Sequence, residues 1–373
     1  MGYTIRKIGI NYRYSNVVVL INQVVFPMNS FPSLHLAGTR TEMGRVHGEH
    51  FKSLILSLIE ARTEVLRSEF PSLTEERLSR TCMYAMEATK KFTPKVYEEV
   101  RATAEACGVA EWKMIICGGY TDLLDVFRIG LNSAAVGDHS ECTTLVQSAG
   151  GTILGTWDSN STALDSAVLL QRSPIDIDVS SICLTTAGWP AQQGVNSAGV
   201  AFAINNLMPT QTNEQGLNYI AANARMAEVG SIDQFVEFAR TVDFCAGHAY
   251  VMVDDCGRGA VVETTAKRIT ENWVNDHLVQ TNHYISERMI DDNSGYPYLE
   301  GSIDRKNEME ALVKARISAE NISGLLEQTN VINKADPDGL VMTCAFFVAD
   351  AVNRTLHIAK GPSSGQGLVS FQL

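Results

Sequence analysis

Cys142 is the residue of this sequence that is best placed to act as a nucleophile. It stands in the segment Asp-His-Ser-Glu-Cys-Thr-Thr-Leu at 138–145, where a helix-like pattern ends and a strand-like pattern begins. The eight cysteines form no Cys-x-x-Cys pair, and we expect the other seven to be reduced thiols buried in the core. The residues on either side of Cys142 are too polar for an ordinary core. A thiol in this setting is a candidate nucleophile, although a cysteine followed by two threonines and a strand is a weak pattern alone.

Four further polar segments follow Cys142 along the chain. They are Gly-Thr-Trp-Asp at 155–158, the run at 194–206 that ends in two asparagines, Gln-Thr-Asn-His-Tyr at 280–284, and Ser-Ile-Asp-Arg at 302–305. Each segment alone is a weak pattern, because polar residues commonly end strands and begin turns. Together with the segment around Cys142 they make five polar segments in a fixed order, which is no longer a weak pattern.

Helices before Cys142 and strands after it must position these groups. Apolar residues recur at helical spacing from about 42 to 124 and predict three or four amphipathic helices, with Pro71 and Pro94 at breaks or starts. Short β-rich runs predict strands at 143–147, 152–155, 167–171, 182–187, 199–205, 249–253, 260–264, 340–348 and 355–359. Helical spacing returns at 216–229, 232–241 and 305–317. Strands in hairpin-like pairs between helical blocks favour a layered α+β fold over a Rossmann sheet.

Composition and missing motifs exclude several classes of function. The chain of 373 residues has 30 Lys and Arg against 42 Asp and Glu, a net charge of −12 without a basic run, so nucleic acid and anionic membranes are not expected partners. The first apolar stretch, 17–26, contains Asn22 and Gln23, so we expect no signal peptide or membrane span, and a cytoplasmic protein. Nucleotide-binding glycine motifs and Gly-x-Ser-x-Gly do not occur. His47 and His50 lack a third ligand, so no metal or other cofactor is predicted.

The five polar segments, in this order, resemble the cysteine N-terminal-nucleophile (Ntn) hydrolases of the isopenicillin N acyltransferase and N-β-alanyl-dopamine hydrolase family. They are more distantly similar to bile salt hydrolases and penicillin V acylases. The resemblance covers nearly the whole chain: residues 37–48 look like the opening of the family's prosegment, 109–124 like the stretch before the nucleophile, and 247–264 like its paired strands. It implies an α+β fold, an αββα sandwich with a largely helical prosegment, and no cofactor.

The resemblance also implies a precursor that cuts itself between Glu141 and Cys142. The thiol would attack the preceding carbonyl, and hydrolysis of the resulting thioester would free an α-amine on Cys142. That amine, with a reference pKa of about 7.7–8.0, can serve as the general base, so no histidine partner is required. The two fragments, a helical prosegment 1–141 and a catalytic portion 142–373, would remain associated as α and β subunits of one integrated fold.

The roles of the other site residues follow from the resemblance, position by position. Asp158 matches the carboxylate that orients the free amine, and Asn282 matches a second active-site asparagine. Asn206 matches the oxyanion donor, with Asn205 as the alternative if the strand register shifts by one residue. Arg305 matches the arginine whose charge favours the thiolate.

Two residues depart from the family pattern. Glu141 stands where the acyltransferase has glycine, and a bulkier, charged residue is expected to slow the strained geometry of self-cleavage. Gly155 stands where bile salt hydrolases have arginine, so their substrate is not carried over.

Three functions therefore remain open at this stage. The first is an autoproteolytic amide hydrolase or acyltransferase acting on a small N-acylated metabolite, either an amide or a thioester. The second is an unprocessed, catalytically silent binding protein of the same fold. The third is a thiol peptidase with a Cys142–His283 dyad. A homo-oligomer is compatible with all three.

Overall fold

The computed structural model describes residues 12–14, 17–19, 31–131, 141–294, 296–314, 341–361 and 367–373. Segment 132–140, which includes Ser140, and residues 315–340, which include the end of the helix predicted at 305–317, lie outside these ranges. The described helices are α1 Arg40–His50, α2 Lys52–Glu69, α3 Glu75–Phe92, α4 Pro94–Cys107, α5 Lys113–Gly118, α6 Tyr120–Gly130, α7 Ser161–Ser166, α8 Tyr219–Met226, α9 Ile232–Arg240 and α10 Leu299–Lys314. A 3₁₀ turn spans Ile290–Asn293. None of the helices in these ranges is both long and apolar enough to span a bilayer.

The strands form one short hairpin and two large sheets. They are β1 Tyr12–Tyr14, β2 Val17–Val19, β3 Ser33–Gly38, β4 Cys142–Gln147, β5 Thr152–Ser159, β6 Ala167–Pro174, β7 Ser181–Thr186, β8 Gln193–Asn196, β9 Val200–Asn206, β10 His248–Asp254, β11 Gly259–Thr264, β12 Ile269–Val274, β13 His277–Gln280, β14 Met342–Asp350, β15 Thr355–Lys360 and β16 Val369–Gln372. The eight-stranded sheet has the order β12-β11-β10-β9-β8-β7-β6-β3, and the six-stranded sheet has the order β13-β4-β5-β14-β15-β16. The β3–β6 pair is parallel, whereas the other described pairs are antiparallel.

Three apolar cores define the order of the layers. Ile153 and Phe347 of the six-stranded sheet pack with Ala203 and Val251 of the eight-stranded sheet in the core between the sheets. A second core joins the outer face of the eight-stranded sheet to α1–α6, α8 and α9. A third, smaller core packs the outer face of the six-stranded sheet against α10 through Met309. The chain is therefore an αββα sandwich, which confirms the predicted α+β fold class.

The region before Cys142 differs in detail from the sequence prediction. It contains six helices between Arg40 and Gly130 instead of the three or four predicted. The count was wrong because α5 is only six residues long and almost wholly buried, so it has no amphipathic period to detect. The same region supplies β3, whose parallel pairing with β6 makes it the edge strand of the eight-stranded sheet. Pro94 is the first residue of α4, as predicted, and α2 ends two residues before Pro71.

Glycines explain the tight packing of α1 on α4. A Cβ at Gly44 would lie 2.0 Å from the carbonyl oxygen of Glu99, and one at Gly48 would lie 2.6 Å from that of Thr103. No side chain fits at either position, so the spacing of these glycines follows from the contact between the two helices. Thr39 caps the start of α1 through a capping box with Glu42.

A buried ion cluster joins the helical region to the catalytic portion. Arg40 of α1 and Arg172 of β6 both contact Glu99 of α4, at 3.3 Å and 2.6 Å, and both contact Glu228, which follows α8. Arg40 also pairs with Asp176 at 2.9 Å. Two cations are thus shared among three carboxylates, which offsets the cost of burying the charges.

Candidate active site

Cys142 is the first residue of β4, and it lies beside β5 in the six-stranded sheet, opposite Trp157. Its side chain is buried, with 5% of its surface exposed. Burial raises the pKa of the thiol to about 12, and the nearby Asp158 carboxylate raises it further, while the backbone N–H of Asp158 and the charge of Arg305 oppose the shift. In the uncut chain the thiol is therefore protonated at neutral pH and needs a base to become a nucleophile.

Asp158 is fully buried on β5, and two hydroxyl groups hold its carboxylate. Thr343 Oγ1 donates to one oxygen at 2.8 Å, and Thr156 Oγ1 donates to the other at 3.2 Å. Burial raises the pKa of this carboxyl to about 7, although Arg305 and both hydroxyls lower it. A carboxyl that titrates near neutral pH beside a thiol is typical of a catalytic site.

Asn282 lies just after β13 and connects Cys142 to Arg305. Its Oδ1 accepts from the backbone N–H of Cys142 at 2.8 Å and from Arg305 Nη2 at 2.7 Å. Its Nδ2 donates to the carbonyl of Asn206 at 2.9 Å, and its own N–H donates to Ser302 Oγ at 2.9 Å. The nitrogen of Cys142 is therefore held by a side chain whose orientation is fixed on both sides.

Arg305 of α10 is 2% exposed and forms an ion pair with Glu141, the residue before Cys142. Its Nη1 donates to Glu141 Oε2 at 2.7 Å. Glu141 therefore neutralises the one arginine whose charge acts on both the Cys142 thiol and Asp158. The ion pair joins the two sides of the predicted cleavage position, because Arg305 belongs to the catalytic portion.

The two asparagines at the end of β9 point in different directions. Asn205 Nδ2 donates to the carbonyl of Cys142 at 3.1 Å and to that of Gln280 at 3.2 Å, so its amide links the two sheets. Asn206 lines a cavity with Cys142, and its Oδ1 has no hydrogen-bond partner within the described ranges. Asn205 Oδ1 also has no partner there, so the two residues differ in that only Asn206 lines this cavity, and the role of Asn206 as oxyanion donor remains a prediction.

The cavity beside Cys142 has a volume of about 30 Å³. That volume holds roughly two water molecules. Its wall includes Arg62 of α2 and Tyr219 of α8, together with His248 of β10. Residues from both sides of the predicted cleavage position therefore form the wall.

Sequence reasoning missed the prosegment residues of this site. Arg62 falls on the buried face of α2, in register with Ile55, Ile59 and Leu66. A charged residue within an apolar helical stripe was a signal that could have drawn attention to it. Asp122, in the apolar run that forms α6, gave the same signal and contacts His248 Nε2 at 2.6 Å.

The histidine proposed for a dyad lies elsewhere. His283 Nδ1 contacts Ser302 Oγ at 2.8 Å and Thr281 Oγ1 at 3.1 Å, and its ring lines a different cavity from that of Cys142. Burial lowers its pKa to about 4, so this ring is neutral at physiological pH. The structure does not bring His283 together with Cys142.

Two other sequence features are clarified by their surroundings. His47 is buried and its Nε2 accepts from the backbone N–H of Gly188 at 3.0 Å, while burial lowers its pKa to about 3. No group of three metal-ligating side chains occurs among the residues that the structure describes. The expectation of seven buried core thiols was wrong for Cys256, which is exposed in the turn between β10 and β11, where polar and glycine residues leave nothing to cover it.

Gly155 has a steric reason to depart from the bile salt hydrolase pattern. A Cβ at this position would lie 2.7 Å from the carbonyl oxygen of Thr143 and 2.9 Å from the ring of Phe347. An arginine cannot be accommodated there without moving β4 or β14.

A sandwich of two sheets between helices, with a cysteine at the start of a central strand, defines the class of Ntn hydrolases. Residues 147–362 match the family described as AAT, acyl-coenzyme A:6-aminopenicillanic acid acyl-transferase. The chain belongs to this family, as the sequence motifs predicted, and is an acyltransferase or amide hydrolase of the Ntn type. The matched segment begins five residues after Cys142.

Solved structures with a similar chain path include two acylases. Penicillin V acylase from Agrobacterium tumefaciens is 12% identical, with a TM-score of 0.42, over 62% of this chain and 86% of that one. A point mutant of conjugated bile acid hydrolase from Clostridium perfringens is 11% identical, with a TM-score of 0.41, over 63% and 92% of the two chains. Likenesses of this size do not define the fold. The fold is assigned from the layers described above.

Proposed function

We propose that the chain is the precursor of a cysteine hydrolase that cuts itself between Glu141 and Cys142 and then cleaves small N-acylated compounds. The observation that carries the proposal is the hydrogen bond from the Cys142 backbone N–H to Asn282 Oδ1. A strand N–H normally pairs with a neighbouring strand. Here a side-chain amide fixes the nitrogen that would become the free amine.

Self-cleavage would proceed as an N-to-S acyl shift followed by hydrolysis. The Cys142 sulfur attacks the Glu141 carbonyl carbon, the C–N bond breaks, and the thiol proton ends on the departing amine. Water then hydrolyses the thioester, which restores the thiol and leaves Glu141 with a free carboxylate. The ion pair between Glu141 and Arg305 supports this step, because it fixes the acyl side of the scissile bond.

Each residue of the site would then have one role in turnover. The free amine of Cys142 takes the thiol proton, and Asn282 and Asp158 orient that amine. The thiolate attacks the substrate carbonyl, Asn206 Nδ2 donates to the developing oxyanion, and the amine returns the proton to the leaving group. Water completes the cycle by hydrolysing the S-acyl intermediate.

Hydrolysis, rather than transfer to a second substrate, is the default outcome that we propose. Transfer requires an ordered acceptor pocket that excludes water. No motif of the sequence indicates such a pocket.

Mass spectrometry of the quenched protein tests this function. We expect a library of N-acyl amines, N-β-alanyl amines and acyl-CoA thioesters to leave an acyl mass on the peptide that begins at Cys142. Cys256→Ala is the matched control, because the exposed Cys256 thiol can be acylated without any site. Label that is confined to another cysteine, or turnover that survives Cys142→Ala, would contradict the mechanism and favour the silent binding protein.

A further inference from the structure

Arg62 is a buried cation in a position that a hydrophobic residue would ordinarily fill. It lies on α2 among Ile55, Leu58, Ile59 and Leu66, all of which face the core. Its side chain is 4% exposed. Placing a guanidinium there is costly unless an anion compensates the charge.

No carboxylate compensates Arg62 within the described ranges. Nη1 donates to the carbonyl of Cys117, and Nε donates to Thr162 Oγ1 at 3.4 Å. The guanidinium also lies over the ring of Tyr120, 4.9 Å from its centroid. Nη2 has no hydrogen bond to a described residue. The group is therefore held in place through one side while the other remains open.

The other three buried arginines of the described chain are all paired. Arg40 contacts Asp176 at 2.9 Å, Arg172 contacts Glu99 at 2.6 Å, and Arg305 contacts Glu141 at 2.7 Å. Arg62 is the exception, and it is also the arginine that lines the cavity beside Cys142. The one buried arginine of the described chain that has no carboxylate partner therefore lies where a substrate would bind.

We propose that Arg62 binds a carboxylate of the substrate, so that the enzyme acts on N-acylated compounds with a negative charge at one end. This inference rests on the proposed function. A planar guanidinium with an open side can bind both oxygens of a carboxylate. A single cation matches one negative charge better than the larger charge of a phosphate. The carboxylate can belong to the acyl half or to the amine half of the substrate.

The position of Arg62 gives the helical prosegment a direct part in substrate choice. Arg62 belongs to α2, whereas Cys142 belongs to the catalytic portion, and both line one cavity. The two fragments must then stay associated after cleavage for the specificity to persist.

Matched substrates test the inference. The first pair compares N-hexanoylglycine, which has a carboxylate in its amine half, with the neutral N-hexanoylglycinamide. The second pair compares adipoyl 4-nitroanilide, which has a carboxylate in its acyl half, with the neutral hexanoyl 4-nitroanilide. We expect the wild-type protein to prefer the charged member of one pair by about 10- to 100-fold in kcat/KM. Arg62→Met should lower kcat/KM for the charged member by more than for the neutral member, so that the preference is lost, and Arg62→Lys should restore part of it. Arg67→Met, on the exposed face of the same helix, is the control variant.

Failure of this inference can be told apart from failure of the proposed function. Equal losses for both members of each pair in Arg62→Met would show a structural role and overturn the inference. A wild-type protein without a preference, or a preference that persists in Arg62→Met, would also overturn it, although acylation of Cys142 would still support the proposed function. If no probe acylates Cys142, the proposed function fails, and thermal unfolding decides the inference alone: hexanoate should raise the Tm of wild type but not of Arg62→Met, and hexanamide should raise neither.

Discussion

The ion cluster around Arg172 and the site around Cys142 are both built from mostly buried residues, but they balance their charges differently. In the cluster, Arg172 and Arg40 share the carboxylates of Glu99 and Glu228, all held by folded elements. In the site, the charge of Arg305 is balanced by Glu141. Cleavage would make Glu141 the C-terminal residue of the first fragment. The ion pairs of the cluster would not change on cleavage, so we expect them to have a structural role, whereas we expect the pairing of Arg305 to matter for the chemistry.

Breaking the ion cluster should give the largest effect, and it should be an effect on stability. Glu99→Ala leaves Arg172 and Arg40 short of a carboxylate, and we expect it to lower the free energy of unfolding by about 3–5 kcal/mol. Glu105→Ala, on the exposed face of the same helix, should cost less than about 1 kcal/mol. Both are measured by denaturant unfolding in a Cys142→Ala background, so that cleavage does not interfere. Equal costs would remove the distinction between the two regions.

Truncating Asn206 should give the opposite result, a loss of catalysis without a loss of stability. Asn206 lines the cavity, and its Oδ1 has no described partner, so Asn206→Ala should leave the Tm nearly unchanged. We expect kcat to fall by about 10²–10³, which is the usual cost of one oxyanion donor.

Asn205→Ala is the register control for that measurement. It removes the bonds to the carbonyls of Cys142 and Gln280, so it should lower the Tm. If Asn205→Ala carries the loss of kcat and Asn206→Ala carries none, the assignment of the oxyanion donor is off by one residue.

The third effect is smaller and depends on pH. Burial raises the pKa of Asp158 to about 7, so the folded chain holds this proton more tightly than the unfolded chain does. Stability is therefore lost as the pH rises from the unfolded value near 3.9 to about 7. Asp158→Asn removes this loss, and its advantage over the uncut Cys142→Ala parent should grow by about 2–3 kcal/mol between pH 5 and pH 8.

The matched control for this pH dependence is Asp165→Asn, at a residue of α7 outside the buried site. Its pH profile shows how much of the change comes from losing any one carboxylate. An advantage of Asp158→Asn that is independent of pH would mean that the carboxyl at 158 does not titrate in this window.

The fold class and the central cluster could be predicted from the sequence, because both depend on local pattern and on order. Short β-rich runs predicted strands in both sheets. The resemblance placed Cys142, Asp158, Asn282 and Arg305 in one site, where the structure brings them together. Their catalytic roles stay predictions.

The rest depended on contacts that no local pattern encodes. The short, wholly buried α5 carries no period, and β3 pairs with a strand more than 130 residues away. The partners of Arg62 and Glu141 are likewise set by tertiary packing. No motif indicated that Arg62 lacks a carboxylate partner or that Arg305 pairs with Glu141.

The most direct test of self-processing is the intact mass and N-terminal sequence of the purified protein. The chain has a mass of 40.8 kDa, and in proportion to length we predict fragments of roughly 15 and 25 kDa. The two fragments should co-elute, and the larger one should begin at Cys142. Cys142→Ala should remain a single chain, and Cys256→Ala should be cut like wild type. A wild-type protein that stays uncut while it hydrolyses substrate would show that the amine of Cys142 is not the base of this enzyme, and a cut that persists in Cys142→Ala would show that the chain does not cut itself through that thiol.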